Sequence, residues 1–318
     1  MLNYFRDLYA AGAQWLFEDK RALRGTALAR ILAGTSVLGI LTTNFRARDI
    51  LFGQGSVWNK PLQDLSQFAP PHIPAQMGNT VFGLYYVFVM ILALFFVLGW
   101  HTRVVGPLML IGEVSIIARI PVLGDQGDNI LRIGLFLLLF MQTNEFWSLD
   151  ARRRARNTAV PQFVLPRWFS NAIHNIALGV LGFQLIIIYI SAGMFKVQGA
   201  LWQHGTAIYY PMQLQEFKPF PFLSDFMTHS GVMVGLATYV VVFTQLYFPL
   251  MLLRVTTRRI AIGLVILFHV SIAVLMALPW FSLTLIAFDA IWVSSSTYIA
   301  IEDWLRPRIS RLAHASAQ

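Results

Sequence analysis

The sequence predicts an all-α integral membrane protein, a bundle of about eight transmembrane helices with both termini cytoplasmic. Three observations predict it. Hydrophobic residues fill 57% of the 318 positions and charged ones only 12%, against about 25% charged in ordinary soluble domains. The apolar residues gather in runs near the ~20 residues that a hydrocarbon core requires. The lysines and arginines sit between those runs and favour alternate connections.

Residues 1–24 read as an amphipathic helix lying on the membrane, with Trp15, Leu16 and Phe17 as anchors. This stretch lacks the apolar region and small-residue cleavage site of a signal peptide. The bundle is expected over 25–304. Its spans are predicted at about 25–43, 80–100, 104–120, 129–147, 172–195, 232–253, 260–278 and 281–299. The connections 44–79 and 197–231 are long and extracytoplasmic, and 305–318 is a basic tail. Gly124 to Asp128 is read as a turn from its glycines and acids. Gly231 and Gly235 fit a weak small-residue packing motif.

Counting basic residues tests this arrangement. With the N-terminus inside, the inner segments carry sixteen and the outer segments five, namely Arg46, Arg48, Lys60, Lys196 and Lys218. An odd number of spans would destroy the asymmetry. The net charge of +9 therefore reads as topology and not as a nucleic-acid footprint. Cysteine is absent, which excludes disulfides, thiol nucleophiles and thiolate metal sites. The histidines are scattered, no metal-ligand spacing occurs, and no soluble-enzyme signature is present.

Ionisable residues in a membrane segment pair, line a cavity or carry function. Arg119, Asp125, Asp128, Arg132 and Lys196 fall at the outer ends of their predicted spans, so helices three, four and five can gather them at one outer site. Glu113, His269 and Asp289 lie deeper. Each has a plain structural alternative. Lys196 can snorkel to the interface, as can Arg30 at the inner end of its span. Asp128 can cap the fourth helix and pair with Arg132 at i,i+4. His269 can be a hydrogen-bonded packing residue. Glu113 and Asp289 need a partner, a proton or water.

The residues Gly127-Asp-Asn-Ile-Leu-Arg132, Trp147-Ser-Leu-Asp150, Ala192-Gly-Met-Phe-Lys196 and Leu201-Trp-Gln-His-Gly-Thr-Ala207 together resemble the horizontally-transferred-transmembrane (HTTM) family. Leu267-Phe-His269 and Phe281-Ser-Leu283 fit as well, and the resemblance covers about residues 24–304. These are bacterial integral membrane proteins related to the membrane part of vitamin K-dependent gamma-carboxylase. They include the sporulation-delaying protein B group, which helps mature a secreted peptide toxin.

The resemblance implies a multi-pass protein of the bacterial inner membrane with an outward-facing cavity. The carboxylase uses a lysine in its own Ala-Gly-x-x-Lys stretch as the base toward vitamin K hydroquinone, and Lys196 is the matching position. Lys196 and, secondarily, His269 are thus the implied catalytic residues; Arg119, Asp128, Asn129, Arg132, Trp202 and His204 are the implied cavity residues. A reduced quinone is the implied cofactor, with a secreted peptide precursor and a small accessory protein as partners beside the bilayer.

Three departures count against glutamate carboxylation itself. These 318 residues are expected to hold no counterpart of the lumenal domain that holds the carboxylase's protein substrate. Asn129 stands near the position of a functional histidine, and Phe195 replaces a second lysine. The alternatives are a non-catalytic partner or transporter in a peptide maturation or export complex, and a lipid- or quinone-binding protein.

Overall fold

The computed structural model describes residues 2–53, 78–117, 124–156 and 165–315, and among them every regular element is helical. Helix α1 (Leu2–Phe17) is followed by α2 (Leu23–Thr43) and a single turn, α3 (Arg48–Leu51). The hairpin of α4 (Asn79–Leu98) and α5 (Thr102–Ile117) precedes α6 (Gln126–Leu138) and the short basic α7 (Leu149–Arg156). Next come α8 (Arg167–Gln198), α9 (Ala200–Gln203), α10 (Pro221–Thr228), α11 (Gly231–Met251) and α12 (Val255–Leu275). Helices α13 (Pro279–Asp289) and α14 (Ser295–Ala315) end the chain.

Five of these helices are long and apolar enough to cross a membrane, and six if α13 and α14 count as one bent span. The chain is a multi-pass membrane protein. Helix α2 is its central strut. Its apolar window is 61% buried against 17% for α12, because small residues let neighbours approach from every side. At Gly39 a Cβ would collide with the Trp280 ring. Tyr86 donates to the Leu41 carbonyl at 2.8 Å, and Trp280 Nε1 donates to Thr43 Oγ1 at 2.9 Å. Helices α4 and α13 therefore run antiparallel to α2 on two of its sides, and α6 closes this cluster through Leu131 and Leu135. The second half of the bundle, α8 with α11 and α12, buries a smaller cluster around Tyr189 and Phe248.

Two predicted spans differ. The run at 129–147 is helical only to Leu138, and residues 139–148 form turns. Side chains from elsewhere satisfy this backbone, so it needs no helix: His174 Nδ1 accepts from the Gln142 N–H, and Thr26 donates to the Gln142 carbonyl. The run at 281–299 breaks after Trp292, where the chain bends by 110°. Tyr298 Oη donates to the Ala290 carbonyl beside that break, at 2.7 Å. The small-residue motif at 231–235 makes no close helix contact: nothing lies within 4 Å of a Cβ built at Gly231.

Arg30 also differs from its expected role. It does not snorkel, since its exposure is 0%. It donates to the carbonyls of Phe96 (2.6 Å), Val97, Thr143 (3.0 Å) and Trp147 (2.8 Å). It thereby serves carbonyls at the C-terminal end of α4, where Phe96 also accepts the Gly99 N–H, and of the 139–148 turn. Gly99 ends α4 at φ 68°, and a Cβ there would meet Ser148 and Arg30, so the staple depends on that glycine.

Asp150, from Trp147-Ser-Leu-Asp150, reaches back to cap the N-terminal end of α5. It accepts from the N–H groups of His101 (2.9 Å) and Thr102 (3.0 Å), and from Asn144 Nδ2 (3.0 Å).

Helix α1 is anchored by Asn171, His174 and Asn175 of α8. The two asparagine amides donate to carbonyls of Trp15, Leu16, Phe17, Glu18 and Asp19. His174 accepts from Gln142 at Nδ1, so its proton sits on Nε2 and goes to the Arg21 carbonyl at 2.8 Å.

Candidate functional site

The bundle has two ends. Residues 20–24, 99–103 and 139–156 share the arginine end; Thr43, Asp125, Lys196 and Pro279 share the lysine end. The predicted site residues lie at the lysine end or in the core beneath it. They occupy three places.

The first is the tip of α8. Lys196 lies in its last turn, half-buried, with Nζ 5.1 Å from the centre of the Trp202 ring. Nζ donates to the Ala192 carbonyl at 3.4 Å. Among the described residues no carboxylate pairs with it. Gly199 turns the chain sharply enough to fold Trp202 back: a Cβ at Gly199 would meet the Trp202 ring at 3.0 Å. His204 is exposed just beyond, and its N–H closes the α9 turn onto Ala200.

The second place is a cavity of about 300 Å³ between α2, α6 and the start of α13. Asp125, Asp128, Asn44 and Trp280 line it; Lys196, Asn129, Arg132, Trp202, His204 and His269 do not. Here Asp125 is the N-cap, and Asp128 is its reciprocal partner in a capping box. Asp125 Oδ1 accepts from the Asp128 N–H at 3.0 Å, and Asp128 Oδ2 from the Asp125 N–H at 2.9 Å. The capping expected of Asp128 is thus shared, and the i,i+4 ion pair with Arg132 does not form. Asn129 is exposed, its backbone N–H closing on Asp125. Glu113 is 2% exposed, four residues before the cavity-lining Ile117, and neither oxygen has a hydrogen-bond partner among the described residues. Arg119 lies outside the described residues.

The third place is in the core. Tyr189, His269 and Asp289 come from α8, α12 and α13 and are at most 3% exposed. Tyr189 Oη donates to Asp289 Oδ2 at 2.6 Å and lies 3.2 Å from His269 Nε2. A phenol has one proton. With it on Asp289, the Tyr189 oxygen accepts from His269, which puts the imidazole proton on Nε2. The three side chains thus form one continuous buried hydrogen-bonded chain. His269 Nδ1 and Asp289 Oδ1 remain without partners among the described residues. Sequence reading placed His269 and Asp289 in the membrane but left Tyr189 out of the site. Its signal was position: Tyr189, Gly193 and Lys196 lie at i, i+4 and i+7 of one helix face.

The single outer cluster expected from helices three, four and five divides because α8 packs mainly against α11, where Gly193 admits Leu246. That contact holds Lys196 apart from Asp128 and Arg132. No group of three or more metal-ligating side chains occurs among the described residues.

A multi-pass helical bundle with buried ionisable groups defines a polytopic membrane protein. A model of the HTTM domain matches residues 24–296, and the chain belongs to that family, whose membrane domain is linked to carboxylase-like proteins. Neither curated proteins nor solved structures provide a match.

Proposed function

We propose that this is an inner-membrane HTTM protein that acts at its extracytoplasmic end on a secreted peptide or a lipophilic, quinone-like substrate, with Lys196 as the base. One observation carries the reading. Lys196 ends the α8 face that, two turns deeper, holds the hydrogen-bonded Tyr189–His269–Asp289 chain, roughly 10 Å away at 1.5 Å per residue.

Among the described residues no carboxylate holds Lys196 protonated, and Trp202 presents an aromatic face beside its amine. An aromatic, lipid-soluble ligand fits between such a face and the bilayer. A reduced quinone bound there would supply the oxidisable ring. Lys196 would take a proton from it, and Trp202 would orient it. The buried chain of Tyr189 and His269 would stand as a proton reservoir behind the amine. The eight-pass topology with both termini cytoplasmic belongs to this reading, as do a peptide precursor and a small accessory protein as partners.

The test is oxygen consumption by the purified full-length protein with a reduced naphthoquinone. A general base contributes typically 10²–10⁴-fold, so Lys196→Ala should lower the rate by at least about 100-fold, and Lys196→Arg should not restore it. Oxidation at the wild-type rate in Lys196→Ala would remove the basis for catalysis. It would favour the non-catalytic reading, a binding partner in a peptide maturation complex.

A further inference from the structure

At the arginine end a cavity of about 350 Å³ opens between the α1–α2 turn, the start of α5, the 139–144 turn and the first turns of α8. Its lining combines the cations Lys20 and Arg103 with an apolar part that includes Leu139, Phe140, Leu165 and Ile173. Among the described residues no aspartate or glutamate lines it.

We propose that this cavity binds an anionic phospholipid, its phosphate held between Lys20 and Arg103 and its chain laid along the apolar part of the lining.

The charges at this end support the assignment. Arg24, Arg154 and Arg167 each pair with a carboxylate, Glu302, Glu145 and Asp19 respectively. Lys20 and Arg103 form no ion pair among the described residues, and they repel each other. Burial, and then the Arg103 charge, draw the Lys20 ammonium below the ordinary lysine value, with Glu145 opposing in part. The nearby carboxylates are engaged elsewhere. Glu145 accepts from Arg154 and Gln142, and Asp150 accepts from Thr102 and His101. His174 has both ring nitrogens in use. A phosphate between the two cations removes their repulsion with no competitor inside the cavity.

The apolar part of the lining and the surroundings favour a lipid over a free anion. The volume accommodates a headgroup and several methylenes, and the remaining chain would follow the bundle flank. Helix α1, clamped by Asn171 and Asn175, leaves Tyr4, Phe5, Leu8 and Trp15 exposed, and Trp168 is exposed beside Phe17. Such an aromatic surface lies at headgroup depth, which brings Lys20 to the level of lipid phosphates. Basic pockets between helices on the inner side are a known mode of headgroup recognition. This site stands independently of any role for Lys196.

The experiment uses the full-length protein in detergent, titrated with phosphatidylglycerol, phosphatidylcholine or inorganic phosphate and read by native mass spectrometry. Phosphatidylglycerol should bind and be retained, and phosphatidylcholine should bind much more weakly. At ~1 kcal/mol per basic side chain, Lys20→Gln/Arg103→Gln should weaken phosphatidylglycerol binding roughly 30-fold. Lys20→Arg/Arg103→Lys keeps both charges and should retain binding. Arg254→Gln removes an exposed charge elsewhere and should change nothing. Wild-type affinity in the double Gln variant would overturn the site, as would equal loss in Arg254→Gln or equal binding of the two lipids. Inorganic phosphate binding as tightly as phosphatidylglycerol would assign the site to a soluble phosphate compound and overturn the lipid.

Discussion

Arg30→Ala should be among the most destabilising single substitutions in this protein, although Arg30 is remote from Lys196. The guanidinium serves four carbonyls, those of Phe96, Val97, Thr143 and Trp147, at 0% exposure. Truncation leaves them facing a cavity. A buried acceptor without its donor costs about 1–3 kcal/mol. The sum is partly offset because a guanidinium no longer has to be buried, which itself costs several kcal/mol. The net loss should be on the order of 3–5 kcal/mol. At ~2–4 °C per kcal/mol for a chain of this size class, the melting temperature should fall by roughly 10 °C. The assay is the monodisperse fraction in size-exclusion chromatography after graded heating in detergent. Arg30→Lys should recover only part of the loss, because one ammonium cannot reach four carbonyls as a planar fork does. Gly99→Ala should reproduce much of the defect by forcing a Cβ against Arg30 and Ser148 at a positive φ. A melting temperature for Arg30→Ala indistinguishable from wild type would refute the staple and restore snorkelling.

Two further outcomes concern the other polar clusters. Burial would raise the Asp150 carboxyl, but hydrogen bonds from Asn144, Thr102 and His101 outweigh it and hold the group below the usual carboxylate range. A depressed carboxylate stabilises above its unfolded value and loses that contribution as pH falls through the folded one. Asp150→Asn should therefore be destabilised near neutral pH, and its gap from wild type should close only below about pH 4; a constant gap down to pH 3 would contradict this. Tyr189→Phe removes the bridge between His269 and Asp289 and should cost about 1–3 kcal/mol, read in the same thermal assay. It should also lower any hydroquinone oxidation more than a neutral packing change such as Val265→Ile.

Much of the architecture was legible because membrane solvation acts locally. A run of apolar residues must be helical in lipid whatever surrounds it, so α2, α4, α8, α11 and α12 appear in the sequence within a few residues of their ends. A helix within residues 1–24 was legible, as was capping by Asp128, since a cap joins residues three apart; the earlier helix start that makes Asp125 the N-cap was not. The run at 129–147 misled because the turn that ends it is held by Arg30 and His174, far away in sequence and invisible to any window.

The sequence by itself determined the class of protein, the helical elements, the crowding of basic residues at one end and a single lysine at the tip of α8. Tertiary structure decided what each intramembrane charge does. Arg30 became a staple, Asp150 a cap, His269 and Asp289 the two ends of a chain through Tyr189, and Lys20 with Arg103 the rim of a cavity. The physical reason is the same for all. A buried polar group must be matched by a partner, and that partner comes from helices whose proximity only the packed bundle fixes.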